Sequence, residues 1–199
     1  MFSYQAAASS LFTERSSEKR PDRFQTTSPV FRYNKHPKNH NKRPSMYDNI
    51  RFHLDEEYPE GLPSENAATH IGMYWIWAAQ TGLANPVWQT APESAEDFTN
   101  MLKGRTSGRR FLLKHMDGAL TPDDFTEQGR QFTSYYYDDE EDGYGAFLED
   151  YVNTLDTPSL GGFYHVPNTP EIYKRLKPVF QAAFEQWKNN LAFPVGEQP

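Results

Sequence analysis

Residues 68–82 read ATHIGMYWIWAAQTG, and the fold turns on what this stretch is. Its apolar run from Met73 to Ala79 is far shorter than the ~20 residues a membrane-spanning helix needs. Ala67, Ala68, Ile71, Tyr74, Trp75, Ala78 and Ala79 recur at helical spacing, and Met73, Ile76 and Trp77 fill the opposite side. A helix that is apolar all round is a buried one. We therefore expect a central buried helix at about 64–82, with Ser64 as N-cap, Glu65 complementing the helix dipole and Gly82 as the stop.

Around it the pattern is mainly α, with one or two short strands. "IRFHL" reads as a strand. "PESAEDFTNMLKG", "SGRRFLLKHMDG", "TPDDFTEQGRQFTSYYY", "AFLEDYVNTL" and "TPEIYKRLKPVFQAAFEQWKNN" read as helices, and "PSLGGFYHVPNT" as a loop or short strand. Thr121 and Thr169 are placed as N-caps ahead of Pro122 and Pro170, and a kink is expected at Pro178. The 14 Phe, 12 Tyr and 4 Trp make this a core built on rings.

The formal net charge of −7 is unevenly spread. Residues 1–45 carry nine Lys/Arg against three Asp/Glu, whereas residues 46–199 carry 11 against 24. The first segment, including "RYNKHPKNHNKRPS", has little to bury and reads as a basic, disordered arm or a non-native upstream extension, with Met46 as an alternative start. Residues 46–192 form the acidic globular domain and 193–199 a tail. The chain has no Cys, which excludes disulfides, thiolate metal sites and a Cys nucleophile. No secretory signal is visible, so the expected location is cytoplasmic, away from the membrane.

Few residues announce chemistry. His70 on the central helix reads as a core histidine hydrogen-bonded to a Tyr or to a carboxylate such as Glu149 or Asp150. The competing reading makes it catalytic, with a carboxylate, in a pocket lined by Tyr74, Trp75 or Trp77. His53, His115 and His165 share no motif, so no metal site and no cofactor are expected from the spacing. Asp123/Asp124 and Glu149/Asp150 read as helix-start acids and a solvated face rather than acid–base pairs. The run Asp138, Asp139, Glu140, Glu141, Asp142 differs in kind. Five adjacent carboxylates cannot all be paired locally, and with Tyr135, Tyr136 and Tyr137 before them they suit a docking surface for a basic protein. They lack the alternating ligand spacing of a calcium loop.

The pieces "YDNIRFHLDEEYPEGLPSENAATHIGMYWIWAAQTGL", "DGALTPDDFTEQGRQFTSYYYD" and "YGAFLEDYV" together resemble an uncharacterised bacterial domain family that opens with a "YDDASWH"-like segment and an "E-x-AATHIGM" helix. "RFH" stands here where that pattern has "SWH". The resemblance covers about residues 46–190 and brings no catalytic residues with it. Similar proteins occur beside toxin or interbacterial-secretion genes, which implies a non-enzymatic immunity protein that binds a cognate, basic toxin. A nucleic-acid or assembly role through residues 1–45 is the remaining alternative.

Overall fold

The computed structural model describes residues 46–138 and 146–192. The basic arm, Asp139 to Asp142 of the acidic run and the 193–199 tail lie outside the described residues. The described part is mainly α. It holds α1 (Thr69–Gln80), α2 (Val87–Thr90), α3 (Ala95–Leu102), α4 (Gly108–His115), α5 (Glu127–Tyr136), α6 (Ala146–Leu155) and α7 (Pro170–Ala192). Two short strands, β1 (Asp48–Asn49) and β2 (Ala119–Leu120), pair antiparallel with Asp48 opposite Leu120.

α1 is the core helix the sequence predicts: every residue from Thr69 to Ala79 is buried. Its beginning differs from expectation. Residues 64–68 form a 3-10 turn, Pro63 precedes it, and Ser64 caps nothing. Its end matches. Gly82 takes φ +80°, its N–H bonds the Ala79 carbonyl at 3.1 Å, and the Leu83 N–H bonds that of Ala78 at 2.9 Å. This doubly bonded C-terminal cap needs the left-handed backbone that glycine adopts without strain.

Rings surround α1. Trp75 packs on Phe111 and Phe125, and Trp77 on Phe132, Phe180 and Phe184. The Tyr74 hydroxyl is within 2.8 Å of Thr133 Oγ1, which joins α1 to α5. α4 crosses α1 so closely that the two backbones touch. A Cβ on Gly72 would lie 2.3 Å from the Arg109 nitrogen, and one on Gly108 would lie 2.0 Å from the Gly72 carbonyl oxygen. Both glycines are therefore required by packing.

Three local expectations are corrected. "IRFH" is a 3-10 turn (Ile50–His53) and not a strand, and the strand lies just before it. Thr121 does not open α5. Its hydroxyl and N–H both bond Asp124 Oδ2 around a 3-10 turn at Pro122–Asp124, and the chain then extends at Phe125 to pair with Ala84. α5 starts afresh with Thr126 as its cap, because Phe125 must reach the core and the Leu83 carbonyl takes the Thr126 N–H. Residues 157–165, read as a loop or short strand, form a loop of two 3-10 turns, so the strand alternative falls. α7 continues through Pro178.

Two outcomes follow from this packing. Gly72→Ala forces α1 and α4 apart and should cost at least about 2 kcal/mol, read by chemical denaturation. Burial raises the Asp124 carboxyl to about 6, against the opposing pull of its Thr121 bonds. The folded value exceeds the ordinary 3.8, so folding takes up a proton between the two, and this contribution to stability falls as pH rises through about 6. Asp124→Asn keeps an acceptor for both Thr121 bonds and removes that dependence. At about pH 8 it should melt above wild type, and a lower melting temperature there would refute the assignment.

Candidate functional site: a buried carboxylate between two histidines

β1 fixes the N-terminal segment against β2. The Tyr47 N–H bonds the Leu120 carbonyl at 2.7 Å and the Ile50 N–H that of Gly118 at 2.9 Å. Between them, Asp48 is turned inward and buried. The 3-10 turn that follows brings His53 back over the same carboxylate, and α1 supplies His70 from the other side.

Asp48 Oδ1 accepts from the Asn49 N–H at 2.7 Å and lies 2.8 Å from His53 Nε2. Oδ2 lies 3.2 Å from His70 Nε2 and accepts from the Tyr137 hydroxyl at 2.5 Å. The two imidazoles meet edge to face with ring centres 4.5 Å apart. Phe147, Tyr151 and Phe163 pack around His70. His53 Nδ1 meets the Tyr164 hydroxyl at 3.1 Å, and the Tyr164 carbonyl accepts from Asn66 Nδ2. Arg109 of α4 in turn bonds Asn66 and Thr69, and pairs with Glu65 at 3.0 Å. One connected network thus ties β1, the 50–53 and 64–68 turns, α1, α4 and the end of α5.

Electrostatics set the protonation pattern. Burial alone would raise the Asp48 carboxyl, but the charge and hydrogen bonds of His53 and the bond from His70 outweigh it and hold the group below the ordinary carboxylate range. Burial, reinforced by His53, lowers His70 to about 4 although Asp48 pulls the other way. Near neutral pH His70 is therefore a neutral ring donating from Nε2 to an ionised carboxylate. Asp48, His53 and His70 each offer a ligand atom, and these atoms lie within 4.8 Å of one another. The geometry can serve as a hydrogen-bonded clamp or as a set of metal ligands.

The sequence-expected residues fall out differently. His70 is a core hydrogen-bonder as read, but its partner is Asp48, from the N-terminal segment, and not Glu149 or Asp150. Glu149 is exposed, and Asp150 accepts from the Tyr136 hydroxyl at 2.7 Å. His53, read as standing apart, joins the cluster. His115 instead meets Asp97 Oδ2 at 2.7 Å beside Lys114, and His165 is exposed. Tyr74, Trp75 and Trp77 are fully buried. A cleft of about 250 Å³ is lined by other residues, among them Met73, Gln80, Thr106, Asn168 and Tyr173. Asp124 is occupied in its turn cap.

The three tyrosines separate as well. Tyr135 is half exposed, whereas Tyr136 is buried and Tyr137 points its hydroxyl at Asp48. Tyr136 is therefore a core residue and not a first contact, and Tyr137 is held by the cluster. Asp138 is partly exposed. Asp48 was missed because a single Asp in "YDNIRFH" carries no spacing signal toward a histidine 22 positions on.

Removing the carboxylate tests the clamp. Asp48→Ala orphans several buried donors at about 1–3 kcal/mol each and should lower stability by several kcal/mol in urea unfolding. Asp97→Ala, whose own carboxylate and Lys114 partner are solvated, should shift the same transition far less. Among the described residues no helix is long and apolar enough to cross a membrane. No curated protein and no solved structure matches the chain. One family does, over residues 46–166: the chain belongs to a domain family of unknown function, DUF7832.

Proposed function

We propose that this protein is a non-enzymatic binding protein of the immunity type, which neutralises a basic bacterial toxin by covering its active surface. The observation that carries this reading is how the end of α5 is held. Tyr136 is bonded to Asp150 of α6, and Tyr137 to Asp48. Tyr135, just before them, is left half exposed, and Asp138 to Asp142 follow Tyr137 directly in the chain. A helix end seated by two tyrosine hydrogen bonds, with one exposed aromatic and a sequence run of five acids directly after it, suits docking to a cationic surface.

Charge supports the same reading. Residues 46–199 carry 13 more acids than bases. Proteins that act on nucleic acids carry cationic surfaces to meet phosphates. An acidic inhibitor is steered to such a surface, and its association slows as salt rises. A cytoplasmic location fits this role, since the producing cell must be protected where the toxin acts.

The test uses the full chain as bait in lysate of its source cells, beside a variant with Asp138, Asp139 and Asp142 changed to Asn, Glu140 and Glu141 to Gln, and Tyr135 to Ala. The expected result is one stoichiometric basic protein whose capture is lost with the variant. Purified, that protein should be toxic when expressed alone and silenced by wild type. A partner captured equally by both chains, or one whose activity is unaffected by wild type, overturns the proposal.

A further inference from the structure

We infer that Asp48, His53 and His70 form a binding site for a divalent zinc-type ion, with the Tyr137 oxygen in the fourth position. This goes beyond the toxin-binding reading and does not depend on it.

Donor set and closure come first. Two imidazole nitrogens, a carboxylate and a phenol oxygen are ligands that zinc accepts, and four-coordinate sites closed to solvent are the structural kind. Asp48 and His53 are each 4% exposed and His70 1%, so three of the four ligands are buried, while Tyr137 is half-buried at the edge of the site. The ligands come from four places in the chain: β1, the 50–53 turn, α1 and the residue ending α5. An ion there would cross-link segments far apart in sequence.

Distances agree. Metal–ligand bonds of about 2.0–2.1 Å place tetrahedral ligands roughly 3.3 Å apart. The His53 Nε2–Asp48 Oδ1 and His70 Nε2–Asp48 Oδ2 separations are 2.8 and 3.2 Å, and Tyr137 is 2.5 Å from Oδ2. The two imidazoles face different oxygens of Asp48, and the ligand atoms of Asp48, His53 and His70 all lie within 4.8 Å of one another, so side-chain shifts must draw them around one ion.

The surroundings are also those of a metal site. A ligating histidine is oriented by a hydrogen bond to its other ring nitrogen. For His53 that partner is the Tyr164 hydroxyl at 3.1 Å, which can donate to a bare Nδ1 or accept from a protonated one. The Asn49 N–H holds the carboxylate at 2.7 Å. Rings of Phe147, Tyr151 and Phe163 wall off His70. Charge closes too. The Asp48 carboxylate and a Tyr137 phenolate together neutralise a divalent ion; on binding, the Nε2 protons that the imidazoles donate to Asp48 shift to Nδ1 or are released, and the Tyr137 proton is released with them.

The experiment loads the full-length chain, purified without chelator, with zinc chloride, dialyses it, and measures bound metal by mass spectrometry alongside the melting temperature. We expect one zinc per chain, a higher melting temperature with zinc, and reversal by EDTA. Cobalt in its place should give the visible absorption of a four-coordinate nitrogen–oxygen site. His53→Gln and His70→Gln, checked for folding by circular dichroism, should lose the ion, while His115→Gln keeps it. Tyr164→Phe leaves every ligand in place, guards against variants that misfold, and should weaken zinc binding about 10–100-fold. Wild type that keeps no zinc and melts unchanged overturns the site. So does zinc retained equally by His53→Gln and His70→Gln, which would place the ion elsewhere, or a Tyr164→Phe affinity equal to wild type.

Discussion

A carboxylate taken out of water costs several kcal/mol unless donors replace its hydration, and the fold around Asp48 is arranged to meet that demand. Its two oxygens receive four donors: the Asn49 N–H, two imidazoles and a phenol. Apart from the neighbouring Asn49 N–H, these donors come together only when the 50–53 turn has closed, α1 has docked and α5 has reached its end. The carboxylate therefore acts as a condition on assembly. A chain in which any one of those elements is misplaced leaves a buried charge without its partners, and such a state is poorly populated. The apolar core lacks this selectivity, because rings tolerate being repacked more readily than a buried charge tolerates losing a donor.

This arrangement explains why so small a sheet is present. Two residues per strand add little stability as a ladder. Their effect is positional: the bonds from Tyr47 and Ile50 to Leu120 and Gly118 set the direction in which Asp48 points. The Gly72–Gly108 contact works the same way on α1. It lets α4 lie against the helix backbone, so that Arg109 reaches Asn66 and Thr69 and steadies the turn leading to His70.

What could be read from the sequence follows the range of the interactions involved. α1 was legible because burial on all sides writes itself into a continuous apolar stretch, and Gly82 marks its end by local backbone chemistry. The helices over 95–102, 108–115 and 146–155 were legible for similar reasons. Thr121 misled because Thr-Pro followed by acids opens a 3-10 turn as readily as an α-helix. The outcome was decided by Phe125, whose ring the core needs. The site was illegible because its parts lie 5, 22 and 89 residues from Asp48, and no periodicity spans those distances. Likewise, three adjacent tyrosines look equivalent in sequence, and only the helix phase separates Tyr135 from Tyr136.

Tyr137 belongs to both halves of the functional picture. Its hydroxyl ends in the Asp48 cluster, its ring stacks on Phe147 at 4.3 Å, and the residue after it begins the acidic run. Whatever fixes the cluster also fixes the base from which Asp138 departs. A partner gripping that end would gain from a helix terminus already ordered before contact, since ordering it on binding would cost affinity. An ion bound by Asp48, His53, His70 and Tyr137 would replace the imidazole and phenol hydrogen bonds to Asp48 with metal bonds and so tie the end of α5 to the cluster. On the proposed reading, a change at the cluster would then act on the end of α5 through Tyr137, without any of these residues touching a partner.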